Sequence, residues 1–176
     1  MNKHLVCFVL FVSLLAACAR ATPETAGTPK PVYKIGDMTV EAHDMSGKRY
    51  PELGRYCDYL KDQKKPGIQT VDCNVPLLPR MEIAFGWSAK NHTILESNWS
   101  AMSWELYIDG TAINLDDFEL RKGSTGQNWE LDLINPTPGK HSLRLLWKSD
   151  VAIDDGNVNH PPGVYEYVAN FTVAQK

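Results

Sequence analysis

From Pro79 to the end of the chain, apolar residues recur at every second position, and no other feature restricts the possible folds as much. "MEIAFGW" puts Met81, Ile83, Phe85 and Trp87 on one side of an extended segment. "WELYIDGTAINL" does the same with Trp104, Leu106 and Ile108, turns at Asp109-Gly110, and returns through Ala112 to Leu115. "NWELDLI" aligns Trp129, Leu131 and Leu133, and after the Pro138-Gly139 turn "HSLRLLW" aligns Leu143, Leu145 and Trp147. "VYEYVANFTV" then places Tyr165, Tyr167, Ala169, Phe171 and Val173 on one face. Successive side chains of a strand point to opposite faces, so each segment reads as a strand with one buried side. Asp-Gly between two such runs suits the positive φ angles of a type I′ hairpin. Strands of this kind bury their apolar faces by packing two sheets together, which makes the chain all-β, an antiparallel sandwich.

The earlier part is less regular. "MTVEA" sets Met38, Val40 and Ala42 opposite Thr39, Glu41 and His43, the mark of one more half-buried strand. In "YPELGRYCDYLKDQKKPG", Tyr56, Tyr59 and Leu60 fall at helical spacing before Pro66-Gly67, so a short helix and an irregular loop both fit. Strands of about this number, separated by Gly, Pro and Asn/Asp turns, point to the immunoglobulin-like class of sandwich. The last two strands, "PGKHSLRLLWKSD" and "PPGVYEYVANFTV", resemble the closing hairpin of immunoglobulin-like domains in uncharacterised bacterial envelope proteins. That resemblance bears on fold and implies little about activity.

The start of the chain carries an address. Lys3 precedes an apolar run, Leu5 to Leu15, broken only by Ser13. Eleven helical residues rise about 16 Å, roughly half of a ~30 Å hydrocarbon core, so the run reads as a secretory signal peptide and not a membrane span. Leu15-Ala16-Ala17-Cys18 resembles the lipobox of bacterial lipoproteins. The resemblance implies cleavage before Cys18 and a diacylglycerol on its thiol. Ala19, standing where that family's sorting rule looks for aspartate, implies the outer membrane in a cell with two membranes. Ordinary signal-peptidase cleavage and secretion is the alternative. The segment after Cys18 holds Pro23, Pro29 and Pro31 and no large apolar residue, as a tether would. The expected layout is therefore a signal at 1–17, a lipidated cysteine and linker at 18–31, an N-terminal strand with a bridged loop or short helix at 32–78, and the sandwich at 79–176. The last two could equally form one domain.

Cysteine use agrees with export. Cys7 leaves with the signal and Cys18 takes the lipid, which leaves Cys57 and Cys73 as an even pair in an oxidising compartment. A disulfide between them pins the N-terminal segment. Two cysteines sixteen apart with no histidine pair nearby are a poor zinc set, and redox pairs are usually C-x-x-C. Formal charge is −3, and −4 once Lys3 is removed, with both signs interspersed. No basic patch suits nucleic acid. No cofactor is implied.

Catalytic constellations are thin. Ser97, Ser100 and Ser103 lack a G-x-S-x-G context, and His43, His92, His141 and His160 form no H-E-x-x-H. The Asn-x-Ser/Thr sites at Asn91, Asn98 and Asn170 matter only in a eukaryotic secretory pathway. "SDVAIDDGNVNHPPG" is the most polar stretch, and its Asp154, Asp155, Asn157 and Asn159 are candidate ligand contacts. Asp155, Asn157 and Asn159 have the alternating spacing of the first half of a calcium loop, but His160 stands at the glycine position and no closing glutamate follows. An Asp/Asn/Gly-rich connection is the plainer reading. Among the aromatics, Trp87, Trp104, Trp129 and Trp147 belong to apolar faces, whereas Trp99 and Tyr107 fall off that pattern and are the exposed candidates for a sugar-stacking or other ligand surface. The sequence thus leads to a non-enzymatic, membrane-anchored binding module for a protein or glycan. A structural subunit joined by sheet-edge pairing is the first alternative, and an enzyme or enzyme inhibitor the second.

Overall fold

The computed structural model describes residues 32–59 and 64–175. The expected signal peptide, Cys18 and the linker lie outside them. Among the described residues no helix is long and apolar enough to cross a membrane.

The described residues form two sheets and a small hairpin. In order, the strands are β1 (Val32–Ile35), β2 (Met38–Ala42), β3 (Gly67–Val75), β4 (Arg80–Ser88), β5 (Ser103–Ile108), β6 (Thr111–Ile113), β7 (Leu120–Lys122), β8 (Gly126–Ile134), β9 (Gly139–Ser149), β10 (Ile153–Asp154), β11 (Asn159–His160) and β12 (Gly163–Val173), with helix α1 (His92–Ala101) between β4 and β5. The first sheet runs β1-β2-β8-β4, with β7 also paired to β8. The second runs β3-β12-β9-β5-β6, and β10-β11 stands apart. The longest ladder, β9 against β12, keeps register from Gly139↔Val173 to Gly163↔Ser149. Because side chains alternate across a strand, this register delivers Leu143, Leu145, Trp147, Tyr165, Tyr167, Ala169, Phe171 and Val173 to one buried face. The first sheet supplies Met38, Val40, Met81, Ile83, Phe85, Trp129, Leu131 and Leu133 to the same core. Rings bridge the layers: Phe85 to Trp104 at 6.2 Å and Trp87 to Trp147 at 5.1 Å between centroids.

The expected all-β fold and the expected hairpin are both present. Asp109 and Gly110 have φ of 49° and 76°, as the tight β5–β6 turn requires. Two features differ from the sequence reading, and a third resolves an alternative it left open. Gly67–Val75 is a full strand, and it pairs in parallel with β12, so the second sheet is not wholly antiparallel. The alternation of Val71, Cys73 and Val75 carried that signal behind the lysines and Pro66. The segment read as lying between strands holds α1, capped by Asn91, whose side chain accepts from Ile94 N at 3.0 Å. Around Tyr56 and Tyr59 the chain is a 3₁₀ turn, Leu53–Arg55, followed by irregular backbone, so of the two local alternatives the loop is the one observed among the described residues.

That loop is held from three sides. Glu82 N donates to Pro51 O at 2.9 Å, buried Tyr59 donates its hydroxyl to Ala84 O at 3.1 Å, and Cys57 is bonded to Cys73. The disulfide therefore ties a segment lying along β4, the edge of one sheet, to β3, the edge of the other. Closing a loop of 16 residues restricts the unfolded chain by about 3 kcal/mol. A Cys57→Ala/Cys73→Ala variant is expected to lose about that much stability in urea titration while keeping its far-ultraviolet spectrum.

Candidate functional site

One end of the sandwich is built from three connections, of which the first is hydrogen-bonded to each of the other two. They are the β4–α1 junction with α1 itself, the turn between β7 and β8, and the segment carrying the β10–β11 hairpin. Ala89 N donates to Thr125 O at 2.9 Å and Lys90 N to Asp155 O at 2.7 Å. From α1, Asn98, only 6 % exposed, donates its side-chain amide to Asp154 O at 2.9 Å. Gln127, at the start of β8, donates to Glu96 of α1. The hairpin is shaped by its own carboxylates. Asp154 accepts from Gly156 N at 2.7 Å, and Asp155 accepts from Asn157 N and Val158 N at 2.7 and 2.8 Å. Gly156 has φ +89°, and a Cβ there would meet the Lys90 side chain at 2.6 Å, so glycine lets the hairpin seat on the β4–α1 junction.

Beneath this end lies a cavity of about 230 Å³ between the sheets, lined by Gly86, Trp87, Ser88, Trp104, Leu145, Trp147, Asp155, His160 and Tyr167. His160 is 4 % exposed and sits edge-on to Trp87, with centroids 5.1 Å apart. Its Nε2 lies 3.7 Å from the Asp155 carboxylate. Three nitrogens of the lining residues are buried without a hydrogen-bond partner: Trp87 Nε1, Trp104 Nε1 and His160 Nδ1. Buried polar groups in folded proteins are nearly all paired, so three orphans around one cavity set it apart. A larger hollow of about 510 Å³ at the opposite end, near Asp109, His141 and Asn170, has no such demand. There His141 already engages Asp109 and Thr137 O, each at 2.7 Å.

Of the residues singled out in the sequence, Asp154, Asp155, Asn157 and Asn159 all fall on the hairpin segment at the composite end. Both aspartates, however, spend a carboxylate oxygen on turning the backbone. Trp99 is not a surface ring. It is half-buried in α1, against Trp104 at 5.9 Å and Trp129 at 5.3 Å, because the helix turns it inward. Tyr107 lies away from this end, toward the Asp109 turn, with the Arg144 guanidinium 5.1 Å over its ring and its hydroxyl donating to Glu105 at 2.7 Å. Trp87 and Trp104, read as core, are half-buried and line the cavity. His160 entered the sequence reading as part of the polar 150–160 stretch and as a break in the calcium-loop pattern, and its place between Asn159 and Pro161 gave no hint of burial.

Only one group among the described residues offers metal-type ligand atoms in convergence. His43, Glu82 and Glu130, on the outer face of the first sheet, bring three such atoms within 4.8 Å of one another. Two of these side chains already have protein partners. His43 Nδ1 is 2.9 Å from the fully buried Asp132, and Arg121 is 2.6 Å from Glu130. Asp132 also accepts from Asp44 N at 3.0 Å, which fixes the segment after β2.

No family model matches the chain, and no curated protein sequence does. Solved structures with similar arrangements include a chain from the structure of PbICP-C in complex with falcipain-2, with 11 % identity, 63 % of this chain and 92 % of that chain covered, and a TM-score of 0.34. The Plasmodium falciparum protein Pf12p is similar at 7 % identity over 61 % of this chain and 42 % of that one, with a TM-score of 0.32. Amebosin, in its solution structure, is similar at 8 % identity over 64 % and 99 %, with a TM-score of 0.25.

The outer-face cluster makes a pH-dependent prediction. Burial raises the Glu82 pKa, against the pull of His43 and with the help of Glu130, Glu52 and Asp132. A carboxyl whose pKa is raised on folding favours its neutral form in the native state, so stability is lost as pH climbs through its titration range. Glu82→Gln is therefore expected to raise the urea midpoint at neutral pH, and the gain should vanish below about pH 4, where the wild-type carboxyl is itself neutral. A lower midpoint at neutral pH would mean that the ionised form is the favoured one.

Proposed function

We propose that the chain is a membrane-anchored, extracytoplasmic binding module whose recognition surface is the end formed by α1, the β7–β8 turn and the 150–160 segment. The observation that carries this reading is the bonding of the β4–α1 connection to the other two, through Ala89 to Thr125 and through Lys90 to Asp155 and Asn98 to Asp154. Connections that only close strands have no need to bond to one another. Loops fixed in one geometry on a rigid scaffold bind with less ordering cost. An immunoglobulin-like arrangement is the finer fold reading that fits, since such sandwiches group alternate connections at one end. The anchor rests on Leu15-Ala16-Ala17-Cys18. No catalytic group is part of the proposal.

A second reading has one observation behind it. Ile68, on edge strand β3, is 69 % exposed, and an edge strand with an exposed apolar side chain is open to pairing with a partner chain. The two readings separate in one experiment. The tagged protein is expressed in a bacterium, its envelope is solubilised, and retained species are compared with those of three variants. Shortening 155–158 together with Asn98→Ala should abolish retention of a partner, whereas Ile68→Lys should leave it intact. The reverse pattern would favour the edge. In the same cells Cys18→Ser should remove metabolically incorporated fatty acid and shift the protein out of the membrane fraction. Unchanged fractionation would remove the anchor from the proposal.

A further inference from the structure

Three neighbouring strands of the first sheet bring an imidazole and two carboxylates together on its outer face. His43 follows directly on β2, Glu130 stands on β8 and Glu82 on β4, with β8 between the other two. Register makes them neighbours: Glu82 lies opposite Asp132, Ala84 opposite Glu130, and His43 N donates to Glu130 O at 3.4 Å. Alternate positions share a face, so Glu82, Glu130 and Asp132 point the same way. The small Ala84 leaves room beside Glu130. One ligand-type atom from each of His43, Glu82 and Glu130 lies within 4.8 Å of the other two, and all three residues are half-buried.

A fourth residue, outside this triad, decides what the imidazole offers. Asp132 is fully buried; its Oδ2 accepts from Asp44 N at 3.0 Å, and its Oδ1 lies 2.9 Å from His43 Nδ1. An ionised carboxylate can only accept, so it holds the proton on Nδ1 and leaves Nε2 with its lone pair outward. A carboxylate placed behind an imidazole in this way is the usual second partner of a metal-ligating histidine, where it fixes tautomer and ring orientation. His43 Nε2 then faces Glu130 Oε2 at 3.9 Å, acceptor toward acceptor and beyond hydrogen-bond reach. The Glu82 carboxylate makes no hydrogen bond among the described residues, and Glu130, Glu52 and Asp132 crowd it with like charge.

The other contacts of the group leave these lone pairs free. Asn128 donates to Glu130 Oε1 at 2.9 Å, and Arg121 pairs with Oε2 at 2.6 Å. Each carboxylate oxygen has two lone pairs, so both bonds leave acceptor capacity toward His43. Arg80 is 3.6 Å from Asp132 and from Asp44 and 3.8 Å from Glu41. Carboxylates outnumber these guanidiniums, so an added cation is attracted to the face. Its class follows from the donors. One imidazole nitrogen with two carboxylate oxygens suits zinc and similar transition-metal ions, whereas calcium takes six to eight oxygens. In a tetrahedral site with bonds of ~2.1 Å the ligand atoms stand ~3.4 Å apart. The 3.9 Å between Nε2 and Oε2 is close to that spacing.

We propose that His43 Nε2, Glu82 and Glu130 bind one divalent transition-metal ion of the zinc class, with Asp132 as the residue that positions the imidazole. The ion ties the end of β2 to β8 and β4, and three protein ligands leave a coordination position for water or for a donor from outside the chain. No residue of the composite end takes part, so the proposal goes beyond the binding reading above and is tested separately from it.

The test uses the full chain in detergent, stripped with a chelator and dialysed, then titrated calorimetrically with zinc at neutral pH. Cobalt serves as the spectroscopic probe, because thiolate ligation adds intense near-ultraviolet bands that an imidazole–carboxylate site lacks. The expected result is saturable binding of one zinc per chain, a higher thermal midpoint with zinc, and visible cobalt bands without thiolate absorption. Calcium and magnesium should not compete when present in large excess. Glu82→Gln relieves charge crowding, so it keeps the fold, yet it should weaken zinc binding about tenfold or more, as should Glu130→Gln. Asp132→Asn should cost about ten- to a hundredfold, the range for a residue that orients a ligand. His141→Asn, in the turn region near Asp109, should change nothing. Absence of saturable zinc binding, thiolate bands in the cobalt spectrum, preference for calcium, or affinity unchanged in folded Glu82→Gln and Glu130→Gln proteins would overturn the proposal.

Discussion

The interior of this protein depends on rings meeting across the gap between two sheets. Phe85 and Trp129 on one layer face Trp104 on the other, Trp87 meets Trp147, and Trp147 lies flat on Tyr165 with centroids 3.8 Å apart. Each large ring fills space that several aliphatic side chains would otherwise occupy, and removing one from a core typically costs about 3–5 kcal/mol. Helix α1 belongs to the same assembly, since Trp99 docks on Trp104 and Trp129 and Leu95 is fully buried. A connection between two strands thereby becomes part of the core.

The same packing explains the cavity. Indoles are wide, rigid and polar at one edge, so a wall built from them fills unevenly where the sheets end. At that end Trp87, Trp104 and His160 keep unpaired nitrogens, and the 150–160 segment forms the rim. Rim and helix connection are joined by Lys90 to Asp155 and Asn98 to Asp154, and the β7–β8 turn is joined to the same connection by Ala89 to Thr125.

Two further devices hold the segment before Pro79 to the sheets. On the outside of the first sheet, buried Asp132 collects His43, Asp44 N and the nearby Arg80, which anchors the chain as it leaves β2. On the flank, the disulfide joins the irregular segment beside β4 to β3. With β2 paired to β8 and β3 to β12, residues 32–78 contribute a strand pair to one sheet and an edge strand to the other.

Much of this was legible in the chain. Period-two alternation determined the strands of the second half and their buried faces, because side-chain direction in a strand follows from position alone. Asp109-Gly110 determined a hairpin, and the cysteine count determined the bridge. The N-terminal cap Asn91 and the spacing of Leu95, Asn98 and Trp99 also held the signal for α1, but the tryptophan read more readily as an exposed ring. What the sequence could not yield was adjacency between distant segments. That β3 runs parallel to β12, and that Trp87, Trp104, Asp155 and His160 share one cavity, depends on how the sheets stack. Local patterns state which face a side chain takes, whereas only the packed layers decide which polar atoms on those faces are left without partners.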